Sequence, residues 1–194
     1  MRTPADVVAL ERGPGLLQDG YSMIIMTSIW HFALAVPDLE EAMEQVGKAF
    51  QVSWRPIHRA ETVLHDEHGQ DHQVECVFTF SEGGPPSIEM WQAVPGTPLA
   101  TPGDTWLHHI GYWVDDLPAE SDRLEGSGWP CFMNAHSVAV HRGPGGLMLE
   151  PCDVNRDRPF LRDLYPPGSA LHGPPDNDDP KHYRIGADYH QPVE

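Results

Sequence analysis

Basic residues are scarce in this chain: 12 lysines and arginines stand against 29 aspartates and glutamates, a formal net charge of −17 at pH 7. The long-range field of such a chain repels phosphate backbones and anionic headgroups, which argues against nucleic acid and membrane surfaces as partners. It also disfavours polyphosphate substrates such as coenzyme A esters, unless Arg55, Arg59 or Arg142 gather at one place. Cysteine is nearly absent. Cys76, Cys131 and Cys152 are odd in number and share no close spacing, so they make neither a disulfide frame nor a zinc knuckle. They read as buried thiols of a reducing, cytoplasmic compartment. No apolar run approaches the roughly eighteen residues of a membrane span, and Met23-Ile24-Ile25-Met26 is too short for a signal-peptide core. Neutral or weakly anionic small molecules remain as ligands.

What the sequence has is an internal echo. His31-Phe32-Ala33-Leu34-Ala35-Val36-Pro37-Asp38-Leu39 and His109-Ile110-Gly111-Tyr112-Trp113-Val114-Asp115-Asp116-Leu117 each place a histidine at the head of an apolar run, with an aspartate and leucine following. Each copy closes on a glutamate in a second apolar run, Ile88-Glu89-Met90-Trp91 and Leu147-Met148-Leu149-Glu150. A duplicated unit that carries one imidazole and one carboxylate per copy supplies four ligands to one shared metal site. At 194 residues the chain is one domain, or two small repeats sharing a core.

The apolar run up to Val36 predicts a strand. Asp38, with Glu41 three residues on, makes a capping-box start to a helix whose Leu39, Ala42, Met43, Val46 and Phe50 form one apolar stripe. Strands at about 52–64 and 73–81 follow, and Gly83-Gly84-Pro85-Pro86 breaks the chain before the strand holding Glu89. After a Pro/Gly-rich linker the β-α-β-β-β order recurs: a strand over 107–114, a helix over 117–126 capped by Asp116, short strands at about 130–134 and 136–141, and a strand ending at Glu150. The expected division is an N-terminal extension (1–27), a domain over 28–153 made of units 28–93 and 105–153, and a Pro-rich acidic C-terminal tail (154–194). Within that tail Phe160, Leu161, Leu164 and Tyr165 are apolar enough to dock as a short helical turn.

The paired units, the two histidine-headed openings and the terminal glutamates resemble the vicinal oxygen chelate superfamily, the glyoxalase/bleomycin resistance/dioxygenase fold. The resemblance implies an α+β architecture: two βαβββ units forming an eight-stranded, cup-shaped mixed sheet with helices outside. It implies one divalent metal ion bound by His31 and Glu89 from the first unit and His109 and Glu150 from the second. It also implies a homodimer. Imidazole and carboxylate donors suit zinc, nickel, cobalt, manganese or ferrous iron. Strand alternation puts His31 with Ala33 on one face and His109 with Gly111, and those small residues leave room for a ligand above the ion. By the same alternation His108 faces away, and it stands as the alternative ligand to His109. Trp54, Trp91, Trp106 and Trp113 read as core or rim packing, and His72 and Glu75 as candidate extra bases.

Four protein ligands on an ion that takes five or six leave positions for substrate oxygens. The expected activity is proton transfer beside a carbonyl with stabilisation of an enolate or enediolate, as in an isomerase, an epimerase or a glyoxalase-like lyase. Glu150 is the preferred ligand-and-base, because a strand-end position beside a glycine-rich turn allows motion; Glu89 is the second candidate. The alternatives are a ring-cleaving extradiol-type dioxygenase, which uses two histidines and one carboxylate, and a metal-free drug-binding protein of the same fold.

Overall fold

Eight strands close into a ring in the order β1-β4-β3-β2-β6-β7-β8-β5 in a computed structural model that describes residues 29–135 and 138–175. The extension expected over 1–27 and the acidic run 176–179 lie outside the described residues. The first unit runs β1 (Ile29–Val36), α1 (Leu39–Phe50), β2 (His58–Asp66), β3 (Asp71–Phe80) and β4 (Ser87–Gln92). The second runs β5 (Leu107–Val114), α2 (Leu117–Gly126), β6 (Cys131–Ala135), β7 (Val138–Arg142) and β8 (Met148–Asp153). Within each unit the first and last strands are parallel, β1 with β4 and β5 with β8. The units join where β1 and β5 pair antiparallel, and the cup closes on its far side through two residue pairs, His65 with Asn134 and Asp66 with Met133. Among the described residues no helix is long and apolar enough to cross a membrane.

Local chemistry places the helices as expected. Asp38 and Asp116 are extended at the N-caps, and each side chain accepts a 2.9 Å bond from the main chain three residues on, Glu41 N–H and Ala119 N–H. Leu39, Ala42 and Val46 of α1 are buried with Val36, Val77 and Met90 of the sheet. Phe50 is not part of that stripe: it is 67% exposed, because the helix ends there and Gln51 turns into the left-handed region at φ 57°. Strand β2 starts at His58 rather than near 52, since Pro56 has no N–H to give and the preceding residues bond across to β3 and beyond, Arg55 N–H to Phe80 O and Glu82 N–H to Ser53 O.

One end of the ring is covered by the segment after β8. Its 3-10 turn, Pro159–Leu164, buries Phe160, Leu161 and Leu164, with Tyr165 beside them, in the main core with Trp30, Phe78, Phe80 and Trp113. The docking expected of those four apolar residues is what the fold shows. Arg55, 4% exposed, clamps this strap by donating to Phe160 O at 2.9 Å and to Asp163 Oδ2 at 2.6 Å.

Candidate metal centre

The strand register gathers the four side chains. Ala33 of β1 lies between Glu89 of β4 and His109 of β5, while Gly111 of β5 lies between His31 of β1 and Glu150 of β8. In each unit, therefore, the residue two after the histidine pairs with that unit's glutamate and also faces the other unit's histidine. This cross explains why both positions are small. A Cβ on Gly111 would sit 1.8 Å from Cε1 of His31. The space that the alternation pattern assigned to substrate is thus filled by a ligand ring.

His31, Glu89, His109 and Glu150 each offer one donor atom, and these atoms lie within 4.8 Å of one another. Nε2 of His31 and Nε2 of His109 are 2.9 Å apart. Glu150 Oε2 is 3.2 Å from the first and 2.9 Å from the second; Glu89 Oε2 is 3.3 Å and 3.5 Å away. Around one ion with bonds of about 2.1 Å, neighbouring donors stand about 3.0 Å apart in an octahedral site and about 3.4 Å in a tetrahedral one. The observed separations span that range, and two imidazole nitrogens with two carboxylates are donors for borderline divalent ions. The residues fit the metal that the family resemblance implies.

Electrostatics point the same way. Burial alone would drive the His109 imidazolium to lose its proton, but Glu150 and then Glu89 outweigh it and hold its pKa up to about 9. Glu150 is buried, which favours its neutral form, yet the His109 charge and bonds from both imidazoles hold its carboxyl well below the usual range. Four basic donors converging in a buried site hold positive charge strongly, whether as protons or as a cation.

Two features depart from simple alternation. The β1–β5 register slips between Ile29 and His31 and again opposite His109 and Leu107, so Trp30 and His108 are each extra residues in a bulge. Both lie just before a ligand histidine, and both are turned inward, Trp30 2% and His108 3% exposed. His108 was expected to face away; the bulge corrects that. Its Nε2 lies 2.9 Å from Pro98 O and its Nδ1 3.1 Å from Nδ1 of His109. Burial, with His109 beside it, pushes its pKa down to about 3, so it is neutral. The second departure concerns Glu150. Strand β8 continues to Asp153, so Glu150 sits inside a paired strand and not at its end.

The hollow above the quartet has two lobes, of about 480 Å³ and about 510 Å³ with their mouths included, and Glu89 and Glu150 belong to both. One lobe is aromatic, with Trp30, Phe80 and Phe160, and carries Arg156 and Arg158 on the strap. The other is aliphatic and sulfur-rich, with Leu64, Cys76, Leu99 and Met133 beside Trp91. Trp91 is thus a wall of the hollow, whereas Trp113 packs between Trp30 and Tyr165 and Trp54 binds Met43 O on the first helix. Trp30 is not a site residue by the sequence reading and His108 enters it only as the alternative ligand to His109; the slip in pairing between strands is what places both. His72 and Glu75 are outside the hollow: His72 Nε2 meets Asp66 at 2.9 Å near the hairpin, and Glu75 is paired with Arg59 at 3.5 Å.

A sequence model of the glyoxalase/bleomycin resistance protein/dioxygenase superfamily matches residues 30–145. No curated protein matches the chain. Among solved structures it resembles a hypothetical protein from Bacillus halodurans, at 17% identity over 67% of this chain and 95% of that one, with a TM-score of 0.47. It resembles methylmalonyl-CoA epimerase from Mycobacterium tuberculosis at 15% identity over 69% and 92%, TM-score 0.47. A mutant of 4-hydroxymandelate synthase from Streptomyces coelicolor is similar at 18% identity over 67% and 38%, TM-score 0.46. Likeness at this level assigns no activity to the chain.

Proposed function

Because this chain belongs to the glyoxalase/bleomycin resistance protein/dioxygenase superfamily, we propose that it is a divalent-metal-dependent enzyme that transfers a proton beside the carbonyl of a small substrate, as an isomerase, epimerase or glyoxalase-like lyase. The observation that carries this reading is the convergence of four donor atoms from both units within 4.8 Å, at the floor of a hollow. A zinc, nickel, cobalt, manganese or ferrous ion bound there supplies Lewis-acid polarisation of a carbonyl oxygen.

The chain's own residues do the rest. His31 and His109 are fixed by packing and by strand pairing, and they act as ligands. Glu150, held at 2.9–3.2 Å from both imidazoles within β8, is an anchoring ligand. Both glutamates line the two lobes, but Glu89 stands farther from the imidazoles, at 3.3–3.5 Å, which makes it the carboxylate better placed to leave the quartet and take a proton from carbon. The preference for Glu150 as base rested on a strand-end position that it does not have. The apolar walls exclude water from the developing charge.

The substrate we propose is a neutral or weakly anionic carbonyl compound. Arg55, Arg59 and Arg142 do not gather: each meets its own carboxylate, Asp163, Glu75 and Glu67. A second copy of the chain is the proposed partner. Ile88, Phe32, Ile110 and Leu149 form an apolar row across β4, β1, β5 and β8 on the outer face, none of them fully buried. The row has the approximate two-fold of the quartet, which suits pairing with itself. Sedimentation across a range of concentrations tests this, and a monomer throughout overturns it. The three cysteines are free thiols, which supports a cytoplasmic setting.

Elemental analysis of the purified protein tests the proposal, followed by incubation of each metal-loaded form with a panel of small ketones, 2-oxo and 2-hydroxy acids in deuterium oxide. Exchange of deuterium into the carbon beside a carbonyl is the expected result. Oxygen consumption with a catechol and ferrous iron would replace it with a ring-cleaving dioxygenase. Tight ligand binding by a protein that takes up no divalent ion would leave a sequestering protein instead.

A further inference from the structure

We infer that His108 is a positioning residue for the metal centre: a hydrogen-bond chain from the main chain of the inter-unit linker through His108 fixes which nitrogen of His109 carries hydrogen, and so aims the other at the ion. This rests on the metal-dependent reading above.

The placement of hydrogens along the chain follows from its end at Pro98. Pro98 O is a carbonyl and can only accept, so Nε2 of His108, 2.9 Å away, must donate. His108 is buried and neither of its nitrogens bonds a carboxylate, so the ring sits there as the uncharged form with one N–H, which leaves Nδ1 as the acceptor. Among the described residues the donor facing it is Nδ1 of His109 at 3.1 Å. That nitrogen therefore carries hydrogen in either charge state of His109, and Nε2 is the nitrogen left to face His31, Glu89 and Glu150. Ligand histidines are commonly steered by a carboxylate or carbonyl on their second nitrogen, and that partner sets both tautomer and ring angle. Here a second imidazole takes the part, itself anchored to Pro98 in the segment that joins the two units. Trp91 meets both rings, at 4.8 Å from His108 and 5.2 Å from His109, and limits their rotation.

The first unit provides an internal contrast. Its bulged residue, Trp30, holds the place before His31 that His108 holds before His109, but an indole offers no acceptor. Among the described residues Nδ1 of His31 has no hydrogen-bond partner, though it is buried. His31 is held instead by shape, between the Trp30 indole, steeply inclined to it with ring centroids 4.0 Å apart, and the bare backbone of Gly111. One ligand is thus aimed by packing and the other by hydrogen bonding. The two bulges serve one purpose by different means.

The test uses the full chain, with zinc affinity read by competition against a chromophoric chelator and imidazole nitrogens read by NMR. In the metal-free wild type, a scalar coupling across the hydrogen bond between Nδ1 of His109 and Nδ1 of His108 is expected. His108→Phe keeps a planar ring but removes both bonds, and it should weaken zinc binding by about 10–100-fold. His108→Gln, whose amide can accept from His109 and donate to Pro98, should recover most of that loss. Melting of each metal-free variant shows whether the fold survives. If His108→Phe does not fold, the coupling in wild type and the His108→Gln affinity decide the matter. Wild-type affinity in a folded His108→Phe, equal losses in the Phe and Gln variants, or hydrogen on Nε2 of His109 in the zinc-loaded protein would overturn the inference. A wild type that shows the coupling but takes up no divalent ion would instead sink the metal-dependent reading and leave the hydrogen-bond chain standing.

Discussion

Gly111 faces His31 across the central pair of strands so closely that an added methyl would stand 1.8 Å from Cε1 and 2.4 Å from Nε2 of the imidazole. The backbone there is not left-handed, so alanine is conformationally acceptable at position 111 and the constraint is purely one of space. Among the described residues nothing hydrogen-bonds Nδ1 of His31 to hold it against displacement. Gly111→Ala is therefore expected to fold while pushing His31 out of the quartet. Metal content at saturation should fall and affinity drop by at least about tenfold. Elemental analysis beside a thermal melt checks it, and full metal occupancy at wild-type affinity would show that the ring can move aside without consequence.

The two glutamates should separate when each is made neutral. Glu89→Gln removes the carboxylate that stands farthest from the imidazoles, leaving two histidines and Glu150. It should keep the ion and lose proton transfer by about 10²–10⁴-fold. Glu150→Gln removes the carboxylate in closest contact with both rings and should lose the ion first. Deuterium exchange and metal content, measured on the same samples, give the answer. The reverse pattern would return the base to Glu150.

Much of this architecture is legible in the residues because it is local. Asp38 and Asp116 announce helix starts, and alternation within single strands sets His31 and His109 on the same face as Ala33 and Gly111. The four side chains named from the duplicated segments are the four that the fold gathers. What escapes is whatever depends on pairing between strands. His108 looks outward by alternation, and only the slip of register opposite Leu34 turns it in. Trp30 is hidden for the same reason. The mid-strand place of Glu150 is equally invisible, since Pro151 and Cys152 look like a loop until β5 pairs with them. The Arg55–Asp163 contact joins positions more than a hundred residues apart, and no periodicity reports that.

That contact gives a stability prediction. Arg55 is 4% exposed and ties the strap to the ring through Phe160 O and Asp163, though Asp163 itself is 34% exposed and so partly screened. Arg55→Met keeps the volume but leaves a carbonyl and a carboxylate without their donor. A loss of about 3 kcal/mol is expected, the lower end for a broken buried pair, which lowers the melting temperature by about 6–12 °C in a chain of this size. The exposed pair Lys48 and Glu44 is the control, since Lys48→Met should change stability by less than about 0.5 kcal/mol. Because Phe160 and Leu161 wall one lobe, ligand binding should weaken in Arg55→Met as well. An unchanged melt would mean that the strap is held by its apolar side chains alone.

The quartet also dictates how stability and metal uptake follow pH. In the metal-free protein His109 has a pKa raised from 6.5 to about 9. Its contribution to stability is therefore complete below 6.5 and disappears as pH climbs through about 9. Glu150 behaves oppositely: its carboxyl is held below 4.5, so its contribution is present above that value and fades as pH falls into the acid range. A divalent ion must displace the His109 proton, so affinity should rise about tenfold per pH unit per proton displaced up to about pH 9 and then level off. The gap between metal-loaded and metal-free melting temperatures should widen across the same interval, because one form is losing a stabilising proton while the other binds its ion more tightly. Melts with and without nickel at pH 6, 7, 8 and 9 measure that gap. A gap that stays constant from pH 6 to 9 would mean that the ion does not compete for Nε2 of His109, and the donor set would have to be drawn without it.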